Sequence, residues 1–454
     1  MGNSRTTAEW KQLDANHHLH PFTDFNDYQN NHGRIIERAE HIYIYDTDGK
    51  QMLDAMSGLW CCSLGYSQPE IADAVHAQFK KLPYYNNFFQ CSNTPAVELA
   101  EKLVQMTPKQ FTHVFFTNSG SEANDTNIRL IRRYWDTKKQ PKKRIILART
   151  NAYHGSTIAS ASLGGFEFVH NQFETLPYVQ HITDPNWYHN GADLSSDEFG
   201  LQAAQELEKK IDQLGQENIA AFIAEPIQGA GGVIVPPDTY WPEVRRILNE
   251  RDILFVSDEV ICGFGRTGNM FGCETYGMEP DLLTFAKAVT NGFQPLGGVM
   301  VSEKVADVIT SDGGEFGHGF TYSGHPITCA AALATLNIME RDKFVDHVAN
   351  DIGPYLQQKW TGLADHPIVG HVRGVGMLGS IELVRNKENK ERLEADQKSG
   401  GICREFCVAN GLIMRAVGDS MIISPPFVST QEEIDLLIAR ATKSLDQTAE
   451  YYSV

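Results

Sequence analysis

The 454 residues contain no long basic run, no C-x-x-C pair and no extended apolar stretch. Cysteine is scarce: of eight thiols, Cys61 and Cys62 are adjacent, while Cys91, Cys262, Cys273, Cys329, Cys403 and Cys407 stand alone. Neither a disulfide framework nor a zinc knuckle is indicated, and a reducing, cytoplasmic compartment is expected. Charge-free stretches are broken by Gly, Pro, Asn or Ser, and the N-terminus has no apolar signal core. No membrane span or secretory leader is therefore expected. Met1 to Thr6 fits the loose N-myristoylation pattern, but no polybasic second anchor follows, and the match is set aside.

Positive charge is also short, with 39 Lys and Arg against 57 Asp and Glu, a net charge of −18. A chain this acidic repels phosphate backbones and anionic lipid. Arg132-Arg133 and Lys142-Lys143-Arg144 are too brief to reverse that, so nucleic acid and membrane are excluded as partners and a neutral or cationic small substrate is favoured. What is present is an ordinary globular composition, 42% hydrophobic and 21% charged, long enough for two packed units or one large α/β core with appendages.

Short apolar runs at His113–Thr117, Arg144–Ala148, Ile219–Glu225, Ile253–Ser257, Leu282–Phe285 and Gly298–Val301 alternate with helix-like segments. That rhythm predicts an α/β fold with a mostly parallel sheet, whose ligands sit beyond the strands' carboxyl ends. After about residue 330 the pattern changes to a long helical stretch from Cys329 to Trp360, strands at Met377–Leu383 and Met421–Ser424, and a last helix from Gln431. The first sixty residues, with a strand at His41–Tyr45 and a turn at Asp46–Gly49, are expected to pack with that tail. The expected division is a large domain over 61–330 and a smaller α+β domain built from 1–60 and 331–454.

Three local features carry chemistry. Ser119-Gly120-Ser121-Glu122 stands between a strand and a helix, with capping-box spacing and free N–H groups at a positive dipole end, which suits an anion. A plain capped helix is the bland alternative. Phe255 to Val260 delivers Asp258 and Glu259 at a strand end, where successive side chains point to opposite faces. One should meet a site and the other a partner or solvent. Lys287 closes the apolar Leu282–Ala286 run, and desolvation there lowers an ammonium's pKa toward a nucleophilic amine. Two G-x-G-x-x-G matches, at Gly263–Gly268 and Gly374–Gly379, lack the strand-then-helix context of a dinucleotide site. His17-His18-Leu19-His20 lacks a carboxylate or thiol scaffold at ligand spacing, and no metal is expected.

Together the three features fit pyridoxal phosphate: phosphate at Ser119–Ser121, Asp258 on the pyridine nitrogen, Lys287 on the aldehyde. The stretch from Phe255 through Gly268 and on to Lys287 also resembles the signature of class III aminotransferases, and the resemblance covers nearly the whole chain. Gly58-Leu59-Trp60, Asn151 to Gly155, Ala224 to Gly232, His318 to His325 and Leu412 to Arg415 are similar to the ω-amine:pyruvate transaminases, the polyamine branch in particular.

The resemblance implies fold type I of the pyridoxal-phosphate enzymes, the aspartate-aminotransferase-like fold, and a set of roles. Tyr153 would stack on one face of the cofactor ring and Val260 press the other, with His154 and Glu225 nearby. Gly120 and Ser121 would hold the phosphate together with Phe320 and Thr321 from a second subunit, so a homodimer, or a tetramer containing it, is implied. Leu59, Trp60, Phe88 and Tyr153 would line the substrate pocket, and Arg415 would bind the carboxylate of pyruvate. The implied reaction is a ping-pong transfer from putrescine, cadaverine or a related amine to pyruvate, giving a carbonyl product and alanine. Ala288 departs from the glycine that many relatives carry after the lysine.

Rival expectations are a 4-aminobutyrate- or acetylornithine-type aminotransferase or an aminomutase on the same scaffold, a nucleotide-binding oxidoreductase suggested by the two glycine patterns, and a binding protein that has kept the fold.

Overall fold

A computed structural model of the chain describes residues 5–30, 33–396 and 398–454, with the side chains of 29 and 30 excepted. The first four residues of the myristoylation pattern lie outside that range. Among the described residues no helix is long and apolar enough to cross a membrane.

Three sheets organise the described residues. The first holds β1 (Ile36–Glu40), β2 (Tyr43–Asp46) and β3 (Gln51–Asp54); the central one holds β4 (Phe111–Thr117), β5 (Ile145–Arg149), β6 (Val179–Ile182), β7 (Ile219–Ala224), β8 (Leu254–Asp258), β9 (Leu282–Phe285) and β10 (Gly297–Ser302). Further on come β11 (Val369–Val375), β12 (Leu378–Leu383), β13 (Leu412–Ile413), β14 (Arg415–Val417) and β15 (Ser420–Ile423).

The central order is β4-β10-β9-β8-β7-β5-β6, parallel from β9 to β6, with β10 antiparallel to both of its neighbours. Every residue of β7, β8 and β9 is buried. That is why these strands read as unbroken apolar runs: helices cover both faces, and no side of the strand meets water. Their carboxyl ends place Asp258 and Lys287 on one edge of the sheet. The helix Gly120–Thr137 starts there too, burying Ala123, Asn127, Leu130, Ile131 and Tyr134 on the predicted face.

The terminal segments meet in a shared sheet, since β13 pairs parallel with β3, Leu412 opposite Leu53 and Ile413 opposite Asp54. The turn predicted at Asp46–Gly49 is present, with the Gly49 N–H donating to the Asp46 carbonyl at 2.9 Å and Gly49 at φ +79°.

Several expected elements are corrected. The Cys329–Trp360 stretch is not one helix: Pro326–Arg341 stops at Lys343, which is left-handed at φ +54°, and a π turn over Val348–Ile352 precedes Gly353–Thr361. Pro354 has no N–H to bond the carbonyl four residues back, and a widened turn absorbs the missing bond. The strand expected at His41–Tyr45 begins two residues later: Tyr43–Tyr45 lie in β2, while His41, at φ +54°, turns the hairpin between β1 and β2. β1, charged and exposed along its length, and the short edge strand β6 carry no apolar alternation and escape a pattern-based reading.

Candidate active site

A cavity of about 430 Å³ opens at the carboxyl edge of the sheet, lined by Ser119, Gly120, Ser121, Tyr153, His154, Glu225, Asp258, Val260 and Lys287 among others. Residues from five separate strand ends and helix starts thus share one hollow.

Its anion-ready corner is the start of the Gly120–Thr137 helix. Ser119 caps it, its hydroxyl accepting from the Glu122 N–H at 3.2 Å. The capping box is incomplete, because the Glu122 carboxylate takes the N–H and side-chain amide of Asn118 at 2.7 and 2.8 Å instead of the Ser119 N–H. The first-turn N–H groups of Gly120 and Ser121 have no carbonyl one turn back to bond. A Cβ on Gly120 would sit 2.9 Å from Cγ2 of Val260, so only glycine leaves this wall open. The Ser121 hydroxyl also accepts from the Ser156 N–H at 3.1 Å, tying the cradle to the loop that carries Tyr153 and His154.

Asp258 and Glu259 divide as strand geometry demands. Glu259 turns away, fully buried, and accepts from the N–H groups of Gly272 and Cys273 at 2.7 Å each; burial pushes its pKa up to about 7. It is a structural residue. Asp258 faces the cavity and is 2% exposed. Its Oδ2 accepts from Nδ1 of His154 at 2.7 Å and from Nδ2 of Asn124 at 2.8 Å, and its Oδ1 from the Val260 N–H at 3.1 Å. Behind it, Asn124 accepts from the Thr284 hydroxyl at 2.8 Å and from Asn127 at 3.1 Å. Together these bonds fix the direction of the carboxylate. Among the described residues, Nε2 of His154 is buried without a partner.

Glu225 is buried at the cavity wall, where burial raises its pKa, and it accepts from the Tyr153 N–H at 3.1 Å and the Gly229 N–H at 2.9 Å. Those bonds set the position of the Tyr153 backbone.

Lys287 follows β9 at φ +51°. Burial lowers its pKa, and no carboxylate of the described residues forms an ion pair with it. Ala288 lies in a short helical turn at ordinary φ, so this backbone does not require a glycine there. Trp60, buried and itself at φ +61°, has the Lys287 Nζ and the Arg415 guanidinium each 5.2 Å from its ring centroid. Arg415 is half-buried, burial lowers its pKa, and it too lacks a carboxylate partner among the described residues.

Other expected residues lie elsewhere. Leu59 is half exposed and, like Phe88, Phe320 and Thr321, does not line this chain's own cavity; Trp60 and Arg415 are not part of its lining either, and reach it through Lys287. Phe88, Phe320 and Thr321 belong to one surface unit. The Tyr84 hydroxyl donates to the Thr321 carbonyl at 2.9 Å, the Asn87 amide to the Ser323 carbonyl at 3.0 Å, and Phe88 packs against Gly319. Phe88 therefore accompanies Phe320 and Thr321 and does not join Trp60, a placement that residue type alone could not disclose.

Sequence reasoning missed Asn124 and Phe22. Asn124 sits one turn beyond Gly120, and that spacing was the available signal. Phe22 meets Tyr153 edge-on at 6.1 Å, continuing into Phe168 and Phe166, with nothing local to announce it.

Pyridoxal phosphate fits the residues present. A glycine-walled corner with free N–H groups suits its phosphate, the buried and doubly bonded carboxylate of Asp258 suits a protonated ring nitrogen, and the unpaired amine of Lys287 suits its aldehyde.

Comparison with known proteins agrees. The family model described as aminotransferase class-III matches residues 25–445. The putrescine–pyruvate aminotransferase of Pseudomonas aeruginosa is 54% identical over 98% of this chain and 97% of its own length. A chloroplastic gamma-aminobutyrate transaminase of Solanum lycopersicum is 44% identical over 91% of this chain and 81% of its own. Among solved structures, the omega transaminase of Pseudomonas jessenii in complex with PMP superposes with a TM-score of 0.95 at 40% identity, over 98% of this chain and 99% of that one.

Proposed function

This chain belongs to the class III aminotransferases, and we propose that among them it moves the amino group of an ω-amine such as putrescine or cadaverine to pyruvate, yielding an aldehyde or ketone and alanine. It is a pyridoxal-phosphate-dependent transaminase of the mixed α/β class III fold. The observation that carries the acceptor assignment is Arg415, a half-buried guanidinium without a carboxylate of its own among the described residues, beside the same Trp60 ring as Lys287. A planar, always charged fork suits the carboxylate of a small 2-oxo acid.

Bound pyridoxal phosphate supplies a carbonyl that exchanges with amines and a ring that withdraws electrons from the carbon losing its proton. Gly120 and Ser121 hold its phosphate through backbone N–H groups, with Ser119 setting the turn. Asp258, oriented by His154 and Asn124, keeps the proton on the ring nitrogen. Lys287 would hold the carbonyl end, and its Nζ, with a pKa lowered by burial, would take and return the substrate proton. Tyr153 and Val260 flank the ring, with Glu225 fixing the Tyr153 loop. Trp60 and Tyr153 line the path to the reacting carbon.

The surface unit of half-buried Phe88 and Phe320 and exposed Thr321 supports a homodimer, or a tetramer of such dimers, in which each copy completes its partner's site. Eight free thiols support a reducing cytoplasmic location. The test is a screen of amine donors with pyruvate, read as alanine formed. Turnover with 2-oxoglutarate and not with pyruvate would overturn the acceptor assignment in favour of the 4-aminobutyrate type.

A further inference from the structure

The N-terminal segment holds a polar cluster that transamination does not use. The histidine-rich run at 17–20 lacks a carboxylate at ligand spacing only while it is read alone; the fold supplies Asp14. Helix Thr7–His17 carries Asp14 one turn ahead of His18, and His18 caps the helix in an extended conformation, φ −116° and ψ 119°, which swings His20 back to the same carboxylate. Nδ1 of His18 is 3.2 Å from Oδ1 of Asp14, and Nε2 of His20 is 2.9 Å from Oδ2. The Tyr28 hydroxyl, from the next helix, donates to Oδ2 as well. Among the described residues this is the one place where three His, Cys, Asp or Glu ligand atoms lie within 4.8 Å of one another.

We propose that Asp14, His18 and His20 bind a divalent transition metal, with zinc(II) as the reference ion, and that the bound ion braces the segment carrying Phe22 over the active-site mouth. Zinc–ligand bonds of 2.0–2.2 Å in a tetrahedron set ligand atoms about 3.4 Å apart, close to the two separations seen. Two imidazoles and one carboxylate select a borderline metal over calcium or magnesium, which prefer all-oxygen sites.

The tyrosine hydroxyl is the outer partner that holds the carboxylate's direction. His18, with its side chain 61% exposed, leaves the ion a way in and solvent a fourth position. On binding, both nitrogen–oxygen hydrogen bonds are replaced by metal bonds. The ring protons move to Nε2 of His18 and Nδ1 of His20, so neutral imidazoles release no proton. Two residues past His20, the Phe22 ring meets Tyr153, which links the site to the cavity.

The test uses tag-free, cofactor-loaded enzyme stripped with a chelator and titrated with Zn²⁺ by calorimetry. We expect one equivalent per chain, with affinity falling by more than about 100-fold in each of His18→Ala and His20→Ala, beyond the loss that removing an outer partner would cause. Retained cofactor absorbance shows that both variants are folded. Co²⁺ in place of Zn²⁺ should give visible ligand-field bands without a thiolate charge-transfer band. Zinc should also slow tryptic cleavage after Lys11 in the parent and not in the variants. Equal zinc affinity in all three proteins, or a thiolate band, would overturn the site, and unchanged cleavage would overturn the bracing.

Discussion

Nδ1 of His154 lies 2.7 Å from Oδ2 of Asp258, with the two side chains 0% and 2% exposed. A buried carboxylate bonded in this way is held in one orientation, which is what a partner for a ring nitrogen requires. His154→Phe keeps the bulk and removes the donor. At roughly 1.5–3 kcal/mol for a hydrogen bond to a charged group, kcat/KM should fall about 10- to 100-fold. Steady-state kinetics on cofactor-saturated protein would show it, and unchanged kinetics would mean that Asn124 alone suffices.

Lys287→Ala should retain pyridoxal phosphate through the phosphate corner and Asp258 while transamination falls by at least about 10² to 10⁴. Bound cofactor is read by absorbance and turnover by alanine formation. Near-parent turnover in cofactor-replete protein would remove Lys287 from its role.

Arg415→Ala should raise the KM for pyruvate about 10- to 100-fold, the loss expected for bidentate bonds to a carboxylate, and leave the amine half-reaction close to normal. Single-turnover measurements of each half separate the two. Equal losses in both halves would show a structural effect through Trp60 instead.

Gly120→Ala should weaken pyridoxal phosphate binding, since the new Cβ would sit 2.9 Å from Cγ2 of Val260. Val260→Ala in the same chain opens the space again. Cofactor dissociation constants for the single and double variants give the coupling, and no recovery in the double variant would place the fault in the backbone instead.

Stability should depend on pH through His371, whose pKa burial and the nearby Arg373 push down to about 4. The unfolded chain binds a proton near pH 6.5, whereas the folded one resists until about pH 4. This contribution is complete above about 6.5 and is lost as pH falls through that window. His371→Gln should flatten the acid side of a Tm-against-pH curve without changing the plateau shape above pH 7. An unaltered slope would assign the acid loss to carboxylates such as Glu382, held down to about 2.

Legibility followed burial. β7, β8 and β9 are covered on both faces, so their sequences are unbroken apolar runs, and the residues at their ends, Asp258 and Lys287, stood out against them. The helix after Ser119 was readable because its cap and its apolar face are local. Contacts across long separations were not. Asn124 meets Asp258 across 134 residues, and no spacing rule predicts that. Phe88 was expected beside Trp60, yet its company with Gly319 and Thr321, away from this chain's own cavity, depends on how two distant loops fold together. The break after Arg341 hid because each half of the stretch is helical by itself, and the left-handed Lys343 has no compositional mark.

Lys287, proposed to carry the proton transfer, occupies a backbone conformation that disfavours a side chain. Lys287 at φ +51° and Trp60 at φ +61° both lie in the left-handed region, where any residue with a Cβ costs about 1–2 kcal/mol, and Asn291 at φ +52°, the kind of residue that tolerates this region, follows close by. Glycine at 287 would remove that penalty, so the inactive Lys287→Gly protein should melt at a higher temperature than the parent when both are compared free of cofactor. Thermal hardening of this enzyme is therefore barred from one of its readiest gains, and ruggedness has to be sought well away from the hollow where turnover occurs.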